Sequence, residues 1–328
     1  MQYGTIVHYI LERFFGEYTK EEYLSLEEDK FQKIVCAYLA EYAVKYFGEE
    51  QLESNSFTYR LKTILDNVMY LMKHIMEELS QSEFFVADCE LKIGEDIPSY
   101  TIVLPDGHKI AVCGSVDRVD IMQRADITYL RIIDYKTGKK QFKLSDILYG
   151  INLQMLLYLH SIEASGGDKY GEIVPAGILY MPATVPYISS DSLKSIDKLP
   201  DELNKELKMN GLLLKDTEII HGMDKTDVAT YIPVKIKAGE PVSSTSLATL
   251  AEFGKIFKKV DMLIAEMGKN IYNGNIEAKP LKGGHDSCEH CPYDSVCAYR
   301  QSNPITCFSV DNKTVIEEIT NEINGKEE

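Results

Sequence analysis

Apolar positions recur at helical spacing through the first 80 residues of the chain. Ile6, Val7, Ile10, Leu11 and Phe14 fall on one face of a segment that stops near Gly16. The stretches Phe31 to Tyr46 and Leu61 to Leu79 repeat that pattern with acidic polar faces, so 1–80 reads as a helical packing layer. The period then changes. Phe84 to Ile93, Tyr100 to Leu104 and Lys109 to Ile121 read as strands, with Pro105-Asp106-Gly107 as a turn between the last two. A second apolar run reaching Lys136 follows the polar connector Gln123 to Asp126, which predicts a β-hairpin. Residues 145–162 read as a helix with an apolar stripe of Leu148, Ile151, Met155, Leu159 and Ile162; Gln154 and Tyr158 sit four apart on a neighbouring face.

Further along, Gly177 to Met181 and Tyr231 to Ile236 read as strands. Between them, 183–230 is polar and irregular and reads as an insertion. A long helix is expected over 245–273, stopped by Asn273-Gly274, and the tail 308–328 reads as an acidic helix or disordered. The organisation expected is therefore a helical part (1–80), a mixed α/β core (81–182), an insertion (183–230), a strand and long helix completing the core (231–274), a cysteine-rich finger (275–307) and an acidic tail (308–328).

Composition changes the picture in two places. The balance of 35 basic against 51 acidic residues, a formal charge of −16, argues against a general nucleic-acid binder. Local charge matters more for binding, and between Arg131 and Lys143 five basic residues (Arg131, Lys136, Lys139, Lys140, Lys143) face one acid, Asp134. Seven cysteines, three of them within ten residues, argue for a reducing compartment and a metal site. No apolar run approaches the roughly twenty residues that span a bilayer, so no membrane partner is expected.

The chemistry concentrates in 114–140. Residues two apart on a strand share a face, so Asp134 and Lys136 emerge side by side, with Asp117 near their level on the partner strand. Two carboxylates and an ammonium at a sheet edge call for compensation, and a divalent cation such as Mg²⁺ supplies it. The lysine could then orient or deprotonate an attacking water, or neutralise a phosphate. Taken alone, Asp-x-Lys is an ordinary exposed strand pair; here it ends the very apolar run Leu130-Arg131-Ile132-Ile133, where open sheets commonly bind ligands. His8 and Glu12 share a face of the first helix. Cys288-x-x-Cys291-Pro292-x-x-x-x-Cys297 has the spacing of a metal site.

Gly-x-x-Asp117-Arg118-x-Asp followed by Asp134-Tyr135-Lys136-Thr137-Gly138 resembles the core of PD-(D/E)XK nucleases in their RecB-like form. The opening Gly4-Thr5-x-x-His8-x-x-Leu11-Glu12, the pair Gln154-x-x-x-Tyr158 and the cysteine trio are similar to the same family in the same order. The phrase Lys208 to Leu214 is similar to the AddB subunits of bacterial helicase–nucleases. The resemblance implies a restriction-endonuclease-like fold, with a mixed central sheet flanked by helices. It implies a metal-dependent deoxyribonuclease, expected to act as an exonuclease on single-stranded DNA or broken duplex ends in double-strand-break repair and recombination.

By that resemblance Mg²⁺ or Mn²⁺ would be held by His8, Asp117, Asp134 and the Tyr135 carbonyl, with Glu90 helping to build the site. Lys136 would assist the water, and Gln154 and Tyr158 would position the scissile phosphate. Arg118, Lys139, Lys140 and Lys143 are expected to contact DNA. Cys288, Cys291 and Cys297 would hold a four-iron cluster, whose fourth cysteine lies ahead of the motif helix in the family and has no counterpart in this chain. The cluster is then incomplete or lost, or a zinc ion is held with His285 or His290. The abrupt start at the motif helix reads as a cut within a longer bacterial cytoplasmic protein, with an AddA-like helicase–nuclease subunit as partner. No phosphate-binding Gly-x-x-x-x-Gly-Lys-Ser/Thr loop occurs, so no ATPase motor is read here. A stand-alone Cas4-like exonuclease and a non-catalytic DNA-binding module are the alternatives.

Overall fold

The computed structural model describes residues 3–138, 140–186, 199–243, 245–293, 295–297 and 304–327. Three helices open the chain: α1 (Tyr3–Glu17), α2 (Glu28–Phe47) and α3 (Asn55–Ser80). The apolar stripe of α1, from Ile6 to Phe14, is almost fully buried, as the helical spacing requires. Strands β1 (Phe85–Ile93), β2 (Tyr100–Val103), β3 (Lys109–Val112), β4 (Gly114–Arg124) and β5 (Ile127–Lys136) follow. Helix α4 (Gln154–Ser165) then crosses to β6 (Glu172–Pro182), and β7 (Asn210–Leu214), β8 (Leu247–Ala248) and the long α5 (Leu250–Tyr272) complete the core.

The central sheet runs β1-β4-β5-β6-β7-β8. Strands β1, β4 and β5 form an antiparallel meander; β5 and β6 are parallel through the α4 crossover. Strand β5 lies between two neighbours and under helices, so Leu130, Ile132 and Ile133 are all 0% exposed. That explains a run too apolar for a half-solvated strand. No described helix is long and apolar enough to cross a membrane.

Several elements depart from the sequence reading. The strand expected over Lys109 to Ile121 is two. β3 pairs with β2 in a separate ribbon, while β4 joins the main sheet after a break at Cys113. Gly114 begins β4 because a Cβ there would fall 2.2 Å from the Tyr158 hydroxyl. The helix expected from 145 starts at Gln154. Leu144–Tyr149 forms a tight 3₁₀ turn instead, and positive φ at Gly150 and Asn152 ends it. Leu148 and Ile151 therefore lie outside the helix proper.

Residues 210–214, inside the polar stretch read as an insertion, form β7 and pair antiparallel with β6. A Cβ on Gly211 would fall 2.0 Å from the Ile178 carbonyl oxygen, so only glycine allows this strand to close. Tyr231 to Ile236 is largely irregular, with only its last two residues in a small ribbon, Lys235–Lys237 with Glu240–Val242. Its alternation reflects burial of Ile232 and Val234 around Pro233, which cannot donate to a ladder. α5 begins at Leu250, later than expected, where Thr249 and Glu252 form a reciprocal cap. The tail forms a helix, α6 (Asn312–Glu327), which buries Val315 and Ile319.

Candidate active site and metal centre

The start of β4 and the carboxyl end of β5 bring the charged groups together. Arg118 faces Ile133 across the ladder, which sets Asp117 level with Asp134. The Tyr135 main-chain N–H donates to Asp117 Oδ2 at 2.9 Å and so fixes that carboxylate against β5. Asp134 and Lys136 share a face, and the Lys136 ammonium pairs with Asp134 Oδ2. From α1, His8 places Nδ1 2.8 Å from Glu90 Oε1 and Nε2 3.6 Å from Asp117 Oδ2. Its ring meets Tyr135 edge-on, with centroids 5.7 Å apart. The Ser115 hydroxyl donates to Glu90 Oε2 at 2.9 Å.

Glu90 adopts φ +51° within β1. A left-handed backbone at a residue with a side chain costs about 1–2 kcal/mol, and such residues concentrate at functional sites. The bonds from His8 and Ser115 offset that cost and hold the carboxylate.

The electrostatics follow from crowding three carboxylates with one imidazole. Burial pushes the Asp117 carboxyl up to about 6; His8 opposes this, and the Asp134 and Glu90 charges add to it. The Glu90 hydrogen bond raises the His8 imidazole, against burial and with help from Asp117 and Asp134. That same bond, with Ser115, lowers Glu90. His8, Glu90 and Asp117 each offer a ligand atom, and these atoms lie within 4.8 Å of one another. Among the described residues it is the one such group of three or more His, Cys, Asp or Glu side chains. One imidazole nitrogen and carboxylate oxygens suit Mn²⁺ or Mg²⁺. Asp134 stands outside that trio, held by Lys136, and contributes its charge.

Other residues singled out by sequence divide. Tyr158 packs its hydroxyl at Gly114, beside Ser115. Gln154 is exposed in the first turn of α4. Lys140 sits over the Tyr180 ring at 4.8 Å, and Lys136 lies 5.8 Å from the same centroid. Lys143 is exposed. Lys139 lies outside the described residues. Cys288 and Cys291 are half-buried and Cys297 is exposed, and their sulfurs are not gathered into a group as tight as the His8 one.

Arg118 requires a correction. It is 0% exposed and cannot meet DNA. Its guanidinium pairs with Asp120 at 2.8 Å and Glu78 at 3.2 Å, and donates to the Tyr135 hydroxyl at 3.2 Å. Arg131, counted in the basic run, is likewise fully buried and joins the same network through Glu78 and Asp120. The reason is parity on the strands. Arg118, Asp120, Arg131 and Tyr135 point to the sheet face opposite the Asp117–Asp134 face.

Sequence reasoning missed Ser115, Glu78, Tyr180 and Asn210. Glu78 had a signal: it is an acid within the buried stripe of Leu71, Ile75 and Leu79 on α3. Asn210 donates through Nδ2 to the Lys140 carbonyl and accepts through Oδ1 from the Phe142 N–H, pinning the loop that leaves Lys136. Nothing local in the sequence marks that pairing.

Comparison with known proteins places this geometry. A sequence model of the PD-(D/E)XK nuclease superfamily matches residues 1–298. The AddB-like ATP-dependent helicase/deoxyribonuclease subunit of Thermoanaerobacter sp. (strain X514) is 37% identical over 246 residues, covering 73% of this chain and 21% of that protein. The protein of the same name from Alkaliphilus oremlandii is 32% identical over 336 residues, 97% of this chain and 29% of its own. That of Ruminiclostridium cellulolyticum is 32% identical over 344 residues, 99% and 29% respectively. The chain thus spans less than a third of the length of these relatives, and its match runs from the His8 helix through the cysteine trio. It belongs to the PD-(D/E)XK nuclease superfamily.

Proposed function

We propose that the chain is the nuclease domain of an AddB-like helicase–nuclease subunit and hydrolyses DNA phosphodiester bonds with the help of a divalent cation. The observation that carries this reading is the His8–Glu90–Asp117 cluster, set beside Asp134 and Lys136 at the end of β5. Held by His8, Glu90, Asp117, Asp134 and the Tyr135 carbonyl, Mg²⁺ or Mn²⁺ would supply Lewis acidity to the scissile phosphate and its attacking water.

The chain's own residues do the rest. Lys136, oriented by Asp134, donates a hydrogen bond to the attacking water or takes its proton. Tyr158, at the head of β4, and Gln154, at the mouth of α4, position the scissile phosphate. Lys140 and Lys143, with Lys139, neutralise neighbouring phosphates. The products carry a 5′-phosphate and a 3′-hydroxyl. The name of the relatives supports a DNA substrate and a companion subunit, here an AddA-like one; single-stranded ends, exonucleolytic action in break repair and a bacterial cytoplasmic setting extend that reading. Cys288, Cys291 and Cys297 would hold an iron–sulfur cluster, or a zinc ion with His285 or His290, which the metal content of the purified chain distinguishes.

The test is cleavage of end-labelled single-stranded DNA with Mg²⁺ or EDTA, for wild type and Asp134→Ala. Metal-dependent cleavage lost in the variant is expected; cleavage that persists in Asp134→Ala refutes the assignment.

A further inference from the structure

A single cavity of about 510 Å³ joins the candidate metal centre to a cluster of tyrosines on the helical layer. His8, Glu90 and Ser115 line one end, and Tyr9, Tyr42 and Tyr46 line the other. The Tyr42 and Tyr46 rings lie 4.4 Å apart with a 35° tilt, and Tyr9 meets Tyr42 edge-on at 5.1 Å. Tyr42 is buried, whereas Tyr46 is 55% exposed. The inner rings thus brace an outer one that faces solvent. The Lys45 ammonium lies 5.1 Å from the Tyr46 centroid and 5.9 Å from that of Tyr9.

We propose that this aromatic cluster is a nucleobase-stacking subsite, which receives the base of a nucleotide flanking the phosphate held at His8, Glu90 and Asp117. The inference rests on the nuclease reading above. A braced, half-exposed ring is the platform that single-stranded nucleic acid uses without regard to sequence, because every base has a π-face. The volume lies within the range of small-molecule sites. Glu12 lines the cavity and Glu41 accepts from the Tyr9 hydroxyl, so negative charge bars a phosphate from the interior and leaves it to the base. Lys45, exposed at the rim, meets the adjoining phosphate from outside. The motif helix therefore serves two ends of the substrate: His8 at the reacting phosphate and Tyr9 in the wall behind a neighbouring base.

The experiment is fluorescence anisotropy in EDTA, where cleavage is suppressed, with a labelled oligothymidylate and an abasic oligomer of equal length. Tyr46→Ala should weaken oligothymidylate binding by about ten-fold, the scale of losing one stacked base. Tyr46→Phe should retain wild-type binding, and the abasic oligomer should bind wild type and Tyr46→Ala equally. Unchanged oligothymidylate binding by Tyr46→Ala overturns the proposal. So does an equal loss on the abasic oligomer, or a wild type that binds neither. The nuclease assignment is judged separately, by the metal-dependent cleavage lost in Asp134→Ala.

Discussion

The Arg118 guanidinium donates to the Tyr135 hydroxyl at 3.2 Å on the face of β4 and β5 opposite the reacting carboxylates. Each strand thus carries a structural residue beside a site residue, Arg118 next to Asp117 and Tyr135 between Asp134 and Lys136. The two strands are locked from behind by a fully buried network of Arg118, Arg131, Asp120 and Glu78. Such networks add little net stability over apolar packing, but breaking one strands its partners as buried charges.

Glu78→Ala leaves both guanidinium groups short of a partner. It should lower the unfolding free energy by about 3–5 kcal/mol, read as a fall in the urea midpoint. Arg118→Met should destabilise in the same sense, while DNA affinity of the folded protein stays near wild type. A selective loss of DNA binding at full stability would restore Arg118 as a contact residue.

Asn210 governs the loop after Lys136 through its two main-chain bonds, to Lys140 O at 2.8 Å and from Phe142 N at 2.7 Å. Asn210→Ala should cost about 1–2 kcal/mol for the lost bonds. Because it frees the segment beside Lys136, cleavage should fall more than the folded fraction does. Comparing turnover with the folded fraction measured by circular dichroism checks this; parallel losses would make Asn210 a purely structural residue.

Much of the site was legible because its residues obey short-range periodicity. Asp134 and Lys136 share a face by strand parity, and the helical stripe around His8 fixes which side of α1 is buried. The rest depends on contacts distant in sequence. Glu90 meets His8 from 82 positions away through a positive-φ backbone that no propensity anticipates. Arg118 looked like a basic contact because strand parity tells which residues share a face, not which face is covered. β7 was read as polar insertion because its flanks are polar, while its pairing depends on the close approach of Gly211 to Ile178.

His160, on α4, makes a pH-dependent stabilising link remote from the carboxylate cluster. It contacts Glu163 at 3.2 Å, Asp261 at 3.3 Å and the Tyr100 hydroxyl at 3.1 Å, stacked on Phe257. Burial opposes its protonation, but the Asp261 and Glu163 carboxylates prevail and raise it to about 9. A histidine raised in the folded state contributes stability that is complete below its unfolded value, about 6.5, and disappears as pH climbs through about 9. After allowance for solvent screening the contribution is on the order of 2 kcal/mol. Wild type should lose its advantage over His160→Gln between pH 6.5 and 9. A stability difference that is flat over that window would disprove the link.

Asp117 should trade stability for function. Its carboxylate is buried beside Asp134 and Glu90, and burial with those charges disfavours the ionised form held at neutral pH. Asp117→Asn keeps an oxygen to accept the Tyr135 N–H and removes the repulsion. In EDTA the variant should match or exceed wild type, by about 1–2 kcal/mol. Wild type should gain from Mg²⁺ or Mn²⁺, by about 2.7 kcal/mol when the free ion is a hundred-fold above its dissociation constant. The variant should gain little and cleave no DNA. Thermal melts of both proteins in EDTA and in rising cation decide the matter. Equal cation gains would remove Asp117 from the ligand set, and a variant weakened in EDTA would show that the carboxylate is a structural acceptor rather than a charge awaiting an ion.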